Sequence, residues 1–532
     1  MDAHAKPLTP TPEITLVERA RVHADRLAVV GPEGVFTYQD LLAASDLVAE
    51  RLSLLVFAPR TPDEAAGIRG GDLAEARIGY LVPPGFEHVA VQWGIWRGGG
   101  VAVPLATSHP AAELTHVLDD CEASALVVHP SLVDRVFAIA DERGIPVLDS
   151  SEICSALSND SALAIRTTRP TIAENRRALI IYTSGTTGRA KGVVTTHANL
   201  QAQVESLVEA WGWSEQDHVL LVLPLHHVHG IVNVVTCALW SGACCQMSPR
   251  FDATATWDRF AQGDLTLFMA VPTVFVRLIQ AWEEADQEDR ERWARGARAM
   301  RLMVSGSAAL PISVLKRWEQ ITGMRLLERY GMTEVGMALS NPLEGERRAG
   351  QVGRPLPGVQ IRRVDESGEE VRPEVPGEVQ DRGTGVFSEY WRRPEETSAA
   401  FNDGWFRTGD VAVVEDGYYR LLGRMSVDII KTSGYKVSAL EIEEKLREHP
   451  AVDDCAVVGV PDLELGEKVC GVVVAAGDST LDVDSLLAWA KSQLAPYKVP
   501  GALRIAQELP RNSMEKVQKR VVRDLFATEG DG

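Results

Sequence analysis

Few features of the sequence would direct the protein to nucleic acid or into a membrane. Its 54 lysines and arginines are outnumbered by 74 aspartates and glutamates, so the formal net charge is −20. No long basic run offsets this charge, and we therefore expect no nucleic-acid partner. The most apolar stretch, residues 230–245, contains Asn233 and Ser241 and falls short of the ~18 residues that a membrane helix needs. We expect a buried helix there and no stable membrane insertion.

Cysteine and targeting signals are also scarce. The seven cysteines form no C-x-x-C pair and no zinc-type spacing with histidine, a pattern typical of reduced thiols in a cytosol-like compartment. Residues 1–22 have neither the apolar core of a secretory signal nor the Arg/Ser-rich, acid-poor composition of a transit peptide. These features predict a cytoplasmic protein.

The length of the chain indicates more than one domain. Its 532 residues exceed the ~250 to 300 at which a single hydrophobic core stops growing. Short apolar runs alternate with helical patterns, which favours an α/β fold. Residues 401–424 have the pattern of hairpin strands, with a tight turn at Asp416-Gly417. Ser438-Ala439-Leu440-Glu441 then has the form of a capping box that opens a helix in a small α+β unit, so we place the domains at residues 1–424 and 425–532.

One short segment is rich in hydroxyl groups and glycine. Residues 182–192 read YTSGTTGRAKG, with four Ser or Thr hydroxyls, three glycines and two cations. Backbone amides and hydroxyls at this density can hold a polyanion. Strand-like runs at 178–182 and 193–196 flank the segment, and a helical period follows from Leu200 to Trp211. The segment thus joins two strands, unlike the loop of P-loop NTPases, whose G-x-x-x-x-G-K-[ST] motif is absent from the sequence.

Five motifs follow the order found in adenylate-forming enzymes, and the chain resembles an acyl-CoA synthetase over most of its length. They are YTSGTTGRAKG (182–192), ERYGMTE (328–334), WFRTGD (405–410), GRMSVDIIKTSGYKVSALEIE (423–443) and LPRNSMEKVQKR (509–520). Two further segments, LPLHHVHGIVN (223–233) and FMAVPTVFVRL (268–278), are similar to those of malonyl-CoA synthetases.

The resemblance implies both a fold and a reaction. The fold is a large N-terminal domain of layered α/β subdomains with a β-barrel-like part, followed by a small mobile α+β domain. The reaction joins a carboxylate to the α-phosphate of ATP, releases pyrophosphate and passes the acyl group to CoA. ATP, Mg²⁺ and CoA are therefore implied, together with a small dicarboxylic acid such as malonate or methylmalonate. Since both first reactants are anions, positioning and electrostatics would supply most of the catalysis.

The glycine-rich loop is expected to hold the β- and γ-phosphates, and a mobile polar hairpin without a ligand is the alternative. By resemblance, the segment VSGSAAL would form the wall of the nucleotide pocket opposite the ERYGMTE motif. The residues assigned in this way are Thr183, Ser184, Gly185, Thr186, Thr187, Gly188 and Lys191 in the loop, and Ser305, Gly306 and Ser307 in the wall.

The remaining nucleotide contacts are assigned to three motifs. Glu334 would bind Mg²⁺, because phosphate-bound magnesium needs only one or two protein carboxylates. Thr333 would contact the α-phosphate, and Tyr330 would present its ring to the adenine or be a core aromatic with a satisfied hydroxyl. Asp410 would accept hydrogen bonds from the ribose hydroxyls, its alternative being an ordinary turn residue, while Arg424 would assist at the ribose or phosphate.

Lys516 is the expected catalytic cation. It lies in the small domain, so it can reach the reacting carboxylate and α-phosphate only in one domain orientation. Rotation would withdraw it and bring Gly434 to a pantetheine tunnel. The sequence departs from the family pattern at Glu515, where glycine is usual, and at Ser426, in the hinge that we assign with Val427. As an alternative, Lys516 is one more cation in a basic tail.

The acid site is assigned to two segments. In FMAVPTVFVRLIQAW we expect a helix capped by Thr273, with Arg277 on its buried side. A buried guanidinium needs an anion, which is either a protein carboxylate or the distal carboxylate of the substrate. His229 would be a second donor to the substrate, whereas His226 and His227 have a structural alternative.

Other functions remain open from the sequence. A short- or medium-chain fatty acid–CoA ligase would use the same motifs with an uncharged acid. A non-catalytic ATP-binding protein of this fold is a second alternative, because Glu515 precedes the expected catalytic lysine.

Overall fold

The nine-stranded sheet forms the centre of the protein. The computed structural model describes residues 14–57, 71–157, 169–183, 190–433, 435–477, 481–511 and 516–527. Two neighbouring inner strands, Leu267–Ala270 and Leu302–Ser305, are parallel and wholly buried, which explains why they are almost entirely apolar. In spatial order the strands are Arg354–Pro355, Gly336–Ser340, Leu327–Met332, Leu302–Ser305, Leu267–Ala270, His218–Leu221, Cys244–Met247, Leu27–Gly31 and Gly34–Thr37.

A seven-stranded sheet packs against the first. Its core strands are parallel, and the glycine-rich segment connects two antiparallel strands at one side, as the sequence predicts. The helix Phe86–Arg97 is buried on every face because it lies within the core that the two sheets share. In spatial order the strands are Glu389–Tyr390, Lys191–Thr196, Arg177–Thr183, Val101–Pro104, Arg77–Leu81, Ala125–Val128 and Val147–Asp149.

A five-stranded antiparallel sheet follows in the chain. Its long hairpin turns at Asp416 and Gly417, whose φ angles of 49° and 82° are those of a type I′ turn. The predicted hairpin is confirmed. The strands are Gln360–Val364, Gly377–Arg382, Phe401–Asn402, Trp405–Glu415 and Tyr418–Arg424.

The C-terminal unit, defined here as the described residues from 429 to 527, has its own sheet and its own core. Ser438 accepts a hydrogen bond from the Glu441 amide at 3.2 Å and caps the following helix, which confirms the first half of the predicted capping box. The second half of the capping box is absent because the Glu441 carboxylate pairs with Lys498 instead. The strands are Ile429–Thr432, Tyr435–Ser438, Val452–Asp462, Gly466–Ala475 and Ala502–Ala506.

Most helices cover the sheets. The helix His197–Trp211 begins with a complete capping box between Thr196 and Asn199. The α-helices are Thr15–Val22, Tyr38–Val56, Phe86–Arg97, Ala111–Asp120, Phe137–Arg143, Ser151–Leu157, His197–Trp211, Cys237–Trp240, Ala253–Ala261, Pro272–Glu284, Gln287–Arg298, Ile312–Thr322, Pro394–Ala400, Ala439–Arg447, Val483–Gln493 and Lys519–Ala527; Pro130–Arg135 and Pro496–Lys498 are 3₁₀ turns.

Two local predictions are corrected. Thr273 does not cap its helix: the helix starts at Pro272, the N-cap is Val271, and no side chain caps it. Proline occupies the first helical position because its missing N–H would be unpaired there anyway. The apolar segment from residue 230 is a buried π-helix, His229–Thr236, continued by Cys237–Trp240, and its last residues instead form the strand Cys244–Met247.

The described residues contain no helix that is long and apolar enough to cross a membrane. All seven cysteines belong to the described residues, and each is a free thiol. Cys245 is fully buried and Cys244 is half-buried, so the adjacent pair contributes mainly to packing.

Candidate active site

The candidate site lies beyond the carboxyl ends of two neighbouring parallel strands. Ser305 ends one strand and pairs in register with Glu328 of the next. Ser305, Gly306 and Ser307 follow on one side, and the motif ERYGMTE runs along the other. Ligands in open α/β sheets bind in the crevice outside these strand ends.

Tyr330, Asp410 and Arg424 form one hydrogen-bonded cluster. The Tyr330 hydroxyl donates to Asp410 Oδ2 at 2.6 Å, and Arg424 Nε donates to Asp410 Oδ1 at 3.0 Å. Burial raises the pKa of Tyr330, and the Asp410 charge raises it further. Arg424 loses hydration, yet the Asp410 charge and hydrogen bond leave its pKa above the ordinary value. Three residues that the sequence assigned separately to the nucleotide are therefore neighbours.

Lys516 of the C-terminal unit lies within electrostatic range of the same cluster. Lys516 retains contact with solvent, but surrounding protein removes part of its hydration and lowers its pKa. Arg424 and Arg329 lower this pKa further, whereas Asp410 raises it. The C-terminal unit thus brings Lys516 into electrostatic interaction with the predicted nucleotide residues Asp410 and Arg424.

Glu334 is a buried carboxylate beside Thr333. Its Oε1 accepts a hydrogen bond from the Tyr390 hydroxyl at 2.9 Å. No group of three or more possible metal ligands occurs in the described part of the chain, so a cation here would depend on Glu334 and on substrate oxygens. That donor set fits Mg²⁺, which keeps several non-protein ligands when bound with phosphates.

The start and end of the glycine-rich segment are described, but its centre is not. Thr183 and Lys191 pair across the two strands. The Lys191 ammonium is 3.2 Å from Glu396 and 3.7 Å from the centre of the Tyr390 ring. The predicted phosphate contacts Ser184, Gly185, Thr186, Thr187 and Gly188 lie outside the described residues, as do Gly434 and Glu515.

The buried Arg329 and His229 form a second polar cluster with the half-buried Ser307. An Arg329 terminal nitrogen donates to Ser307 Oγ at 3.2 Å, and His229 Nδ1 lies 3.2 Å from the same oxygen. The φ angle of Ser307 is 70°, an uncommon conformation for a residue with a side chain. It brings the hydroxyl between the two larger groups.

This cluster has unused hydrogen-bonding groups. Arg329 Nε, His229 Nε2 and Ser305 Oγ are buried without a hydrogen-bond partner among the described residues. Burial lowers the pKa of Arg329 to about 9, the direction expected for a cation that has lost water without gaining an anion. Burial also lowers the pKa of His229, and the Arg329 charge lowers it further. The cluster therefore has the chemistry of an anion-binding pocket.

Gly306 makes the position of Arg329 possible. A Cβ atom at Gly306 would lie 2.5 Å from both Cζ and Nε of Arg329. The guanidinium therefore packs directly against the backbone at this position.

Arg277 does not have the burial that the sequence predicted. It is exposed, whereas Val274, Phe275, Leu278 and Ile279 of the same helix are buried. At ~100° per residue, Arg277 lies about 130° round the helix from the centre of this buried face. The prediction used the spacing of Arg277 from Val274 and Leu278 alone. Phe275 and Ile279 are also buried, and they shift the centre of the buried face away from Arg277.

Comparison with known proteins gives the family. The sequence profile described as AMP-binding enzyme matches residues 16–391, and that described as AMP-binding enzyme C-terminal domain matches residues 441–516. The chain belongs to the AMP-binding enzyme family. The predicted membership of the adenylate-forming enzymes is confirmed. Enzymes of this family use ATP as a substrate.

Relatives within the AMP-binding enzymes are similar over nearly the whole chain. The mouse protein named malonate–CoA ligase ACSF3, mitochondrial, is 43% identical over 94% of this chain and 89% of its own length. The Arabidopsis thaliana malonate–CoA ligase is 41% identical over 93% of this chain and 85% of its own length. The crystal structure of ATP-bound MatB from Rhodopseudomonas palustris superposes with a TM-score of 0.85 at 33% identity, covering 97% of this chain and 99% of MatB. These similarities confirm the predicted fold class.

Two site residues of this AMP-binding enzyme were missed by sequence reasoning. Arg329 lies inside the ERYGMTE motif. A charged residue in a mostly buried strand indicates a functional or paired group, and this signal could have identified Arg329. Tyr390 carries no comparable signal, because its contact with Glu334 joins elements 56 residues apart.

Proposed function

We propose that the protein is an ATP-dependent malonate–CoA ligase that forms a malonyl adenylate and then malonyl-CoA. The observation that carries the choice of acid is the buried Arg329 guanidinium without a described carboxylate partner. The names of the relatives at 41% and 43% identity support the same acid.

Arg329 would bind the distal carboxylate of malonate. The guanidinium Nε and His229 Nε2 are available for charge-assisted or neutral hydrogen bonds. Arg329 also lies close enough to Lys516 to lower its pKa. Two cations that act on the same region fit a short acid with a carboxylate at each end. Methylmalonate shares this charge pattern and is the second acid to test.

The first half-reaction would take place between Lys516 and the Tyr330–Asp410–Arg424 cluster. A carboxylate oxygen attacks the α-phosphorus of ATP, and the bond to pyrophosphate breaks. Asp410 would hold the ribose, and Lys516 and Arg424 would stabilise negative charge on the transferring group. Thr333 would hold an α-phosphate oxygen, and the loop from Thr183 to Lys191 would hold the leaving pyrophosphate.

Glu334 is the residue that would hold Mg²⁺. Its carboxylate is buried and oriented by the Tyr390 hydroxyl. Bound Mg²⁺ supplies charge neutralisation at the phosphates. The surrounding residues exclude water and fix the direction of the carboxylate.

In the second half-reaction the CoA thiol would attack the acyl carbonyl and AMP would leave. The sulfur–carbon bond forms, the bond between carbonyl and phosphate oxygen breaks, and the thiol proton passes to solvent. For this step we infer that residues 425–532 rotate relative to residues 1–424 about Ser426 and Val427, which would bring Gly434 to the pantetheine. We also infer a cytoplasmic location and no nucleic-acid partner.

A panel of acids tests the proposal. Pyrophosphate release and CoA-thioester formation are measured with malonate, methylmalonate, malonamate, butyrate and octanoate. Malonamate is almost isosteric with malonate but has no distal charge. The parent should have its highest kcat/KM with malonate or methylmalonate and at least a 10²-fold lower value with malonamate.

Variants identify the residue that selects the acid. Arg329→Met should lower kcat/KM for malonate by about 10² or more, while butyrate changes by less than ~10-fold. Arg277→Met tests the original sequence prediction, and its exposure predicts little effect on either acid. Arg317→Met is the control on another helix, because the hydrogen bonds of Arg317 go to the exposed Glu283 and Gln320 and its guanidinium lies over Trp282, none of which belongs to the candidate site.

Each result has a defined meaning. A parent that prefers butyrate or octanoate would favour the fatty acid–CoA ligase. A parent that binds ATP but releases no pyrophosphate with any acid would favour the non-catalytic alternative. A selective loss of malonate activity in Arg277→Met, with Arg329→Met unchanged, would return the acid site to Arg277.

A further inference from the structure

The helix Ile312–Thr322 receives its N-terminal cap from a distant part of the chain. It follows Pro311, and no side chain at the N-cap position binds its first turn. Instead, the Ile312 amide donates a 2.9 Å hydrogen bond to Glu444 Oε1. Glu444 lies in the helix Ala439–Arg447 of the C-terminal unit. The contact therefore joins the C-terminal unit to the large α/β part.

The electrostatics of this contact favour a carboxylate. Helix N-termini carry unpaired N–H groups and a partial positive charge, so an anion there is stabilising. Glu444 is half-buried, which reduces screening by solvent. Arg447 lies 3.8 Å from its carboxylate, and the Glu444 charge contributes to raising the pKa of the buried Glu328.

We propose that Glu444 is a positioning residue for adenylate formation. The C-terminal unit carries both Glu444 and Lys516, and the structure has Glu444 on the Ile312 helix while Lys516 acts electrostatically on Asp410 and Arg424. The hydrogen bond and ion pair of Glu444 in the described part of the chain go to Ile312 and Arg447, which are not among the predicted nucleotide residues. It acts by holding the orientation in which Lys516 reaches them. This inference rests on the adenylation step of the proposed function and applies whichever acid is used.

Half-reaction measurements test this role. ATP–pyrophosphate exchange reports adenylate formation, and conversion of supplied acyl adenylate with CoA reports thioester formation. Glu444→Ala should slow exchange by about 10-fold while the thioester step stays within twofold of the parent. Glu444→Gln keeps an acceptor oxygen for the Ile312 amide. Its exchange should therefore be slowed, but by less than half of the factor seen in Glu444→Ala.

Two comparisons separate positioning from general damage. Glu441→Ala removes a carboxylate from the same helix, but its partner Lys498 lies within the C-terminal unit, so exchange should remain at the parental rate. Glu444→Ala combined with Lys516→Ala should be no slower in exchange than Lys516→Ala alone, because coupled groups are not additive.

Several outcomes would overturn the inference. Equal loss in both half-reactions, full additivity with Lys516→Ala, or the same loss in Glu441→Ala would each show that Glu444 does not act through Lys516. If Glu444→Ala does not fold, Glu444→Gln decides the question. Slower exchange with an unchanged thioester step in Glu444→Gln supports the role, whereas parental exchange or equal slowing of both steps rejects it. A parent that performs no exchange with any acid would reject the proposed function as well.

Discussion

The Tyr330 hydroxyl and the Asp410 carboxylate are joined by a 2.6 Å hydrogen bond between residues 80 positions apart in the chain. Arg424 binds the same carboxylate from another direction. Asp410 is therefore oriented before any nucleotide arrives, which reduces the ordering that ligand binding requires.

Asp410→Asn is expected to weaken ATP binding by about 10- to 100-fold. The substitution removes the charge that Tyr330, Arg424 and the ribose hydroxyls would share. Titration of a fluorescent ATP analogue measures the change. Asp365→Asn, at an exposed turn, is the control and should bind like the parent. Equal binding by both variants would show that the ribose lies elsewhere.

Lys516→Ala is expected to slow adenylate formation by about 10² to 10³, as loss of one electrostatic contact to a transition state can. Thioester formation from supplied acyl adenylate should be largely retained. Rapid-quench measurement of each half-reaction gives the two rates. A parallel fall in both would contradict the role assigned to this lysine.

Glu334→Gln is expected to raise the Mg²⁺ concentration needed for half-maximal activity by about 10-fold or more, because an amide is a weaker ligand for a hard cation. Tyr390→Phe removes only the group that orients Glu334, so a smaller shift is expected. Magnesium titrations at saturating ATP and acid measure both. An unchanged requirement in Glu334→Gln would place the metal elsewhere.

Glu328 makes stability depend on pH. Burial raises the pKa of this carboxyl to about 8, and the Glu444 charge adds to the effect. In the unfolded chain its pKa returns to about 4.3. The folded state holds the proton more tightly, so this contribution to stability is present below about pH 4.3 and is lost as pH rises to about 8.

Glu328→Gln tests this dependence. The neutral amide has no proton to lose, so the difference in unfolding free energy between variant and parent should shift in favour of the variant by roughly 2 to 4 kcal/mol from pH 5 to pH 8. Urea unfolding at several pH values gives the difference curve. A flat curve would show that Glu328 is ionised at neutral pH in the folded protein.

The sequence predicts much of the fold because local signals agree with one another. The Asp416-Gly417 turn and the Ser438 cap each depend on a few adjacent residues, and both are confirmed. The Thr273 cap failed because Pro272 could itself start the helix. The predicted end of the buried helix after Gly230 was wrong, because one apolar run contains both a helix and the start of a strand.

The candidate site is less predictable because distant elements assemble it. Motifs assign Tyr330, Asp410 and Arg424 to the nucleotide, but they do not predict the hydrogen bonds that join the three side chains. Arg277 was chosen by its spacing along one helix, whereas burial depends on what packs around that helix. Arg329 is recognisable as part of an anion-binding cluster only from its contacts with Ser307 and His229, which lie elsewhere in the chain.

The close packing of Gly306 against Arg329 imposes an order on substitutions. Replacing Arg329 by a smaller apolar residue first would open space that a side chain at position 306 could then fill. Filling position 306 first would displace a guanidinium that is still charged and buried. A lineage that moves towards uncharged acids is therefore expected to change position 329 before position 306. Once position 306 carries a side chain, reversion to arginine at 329 is blocked until glycine returns.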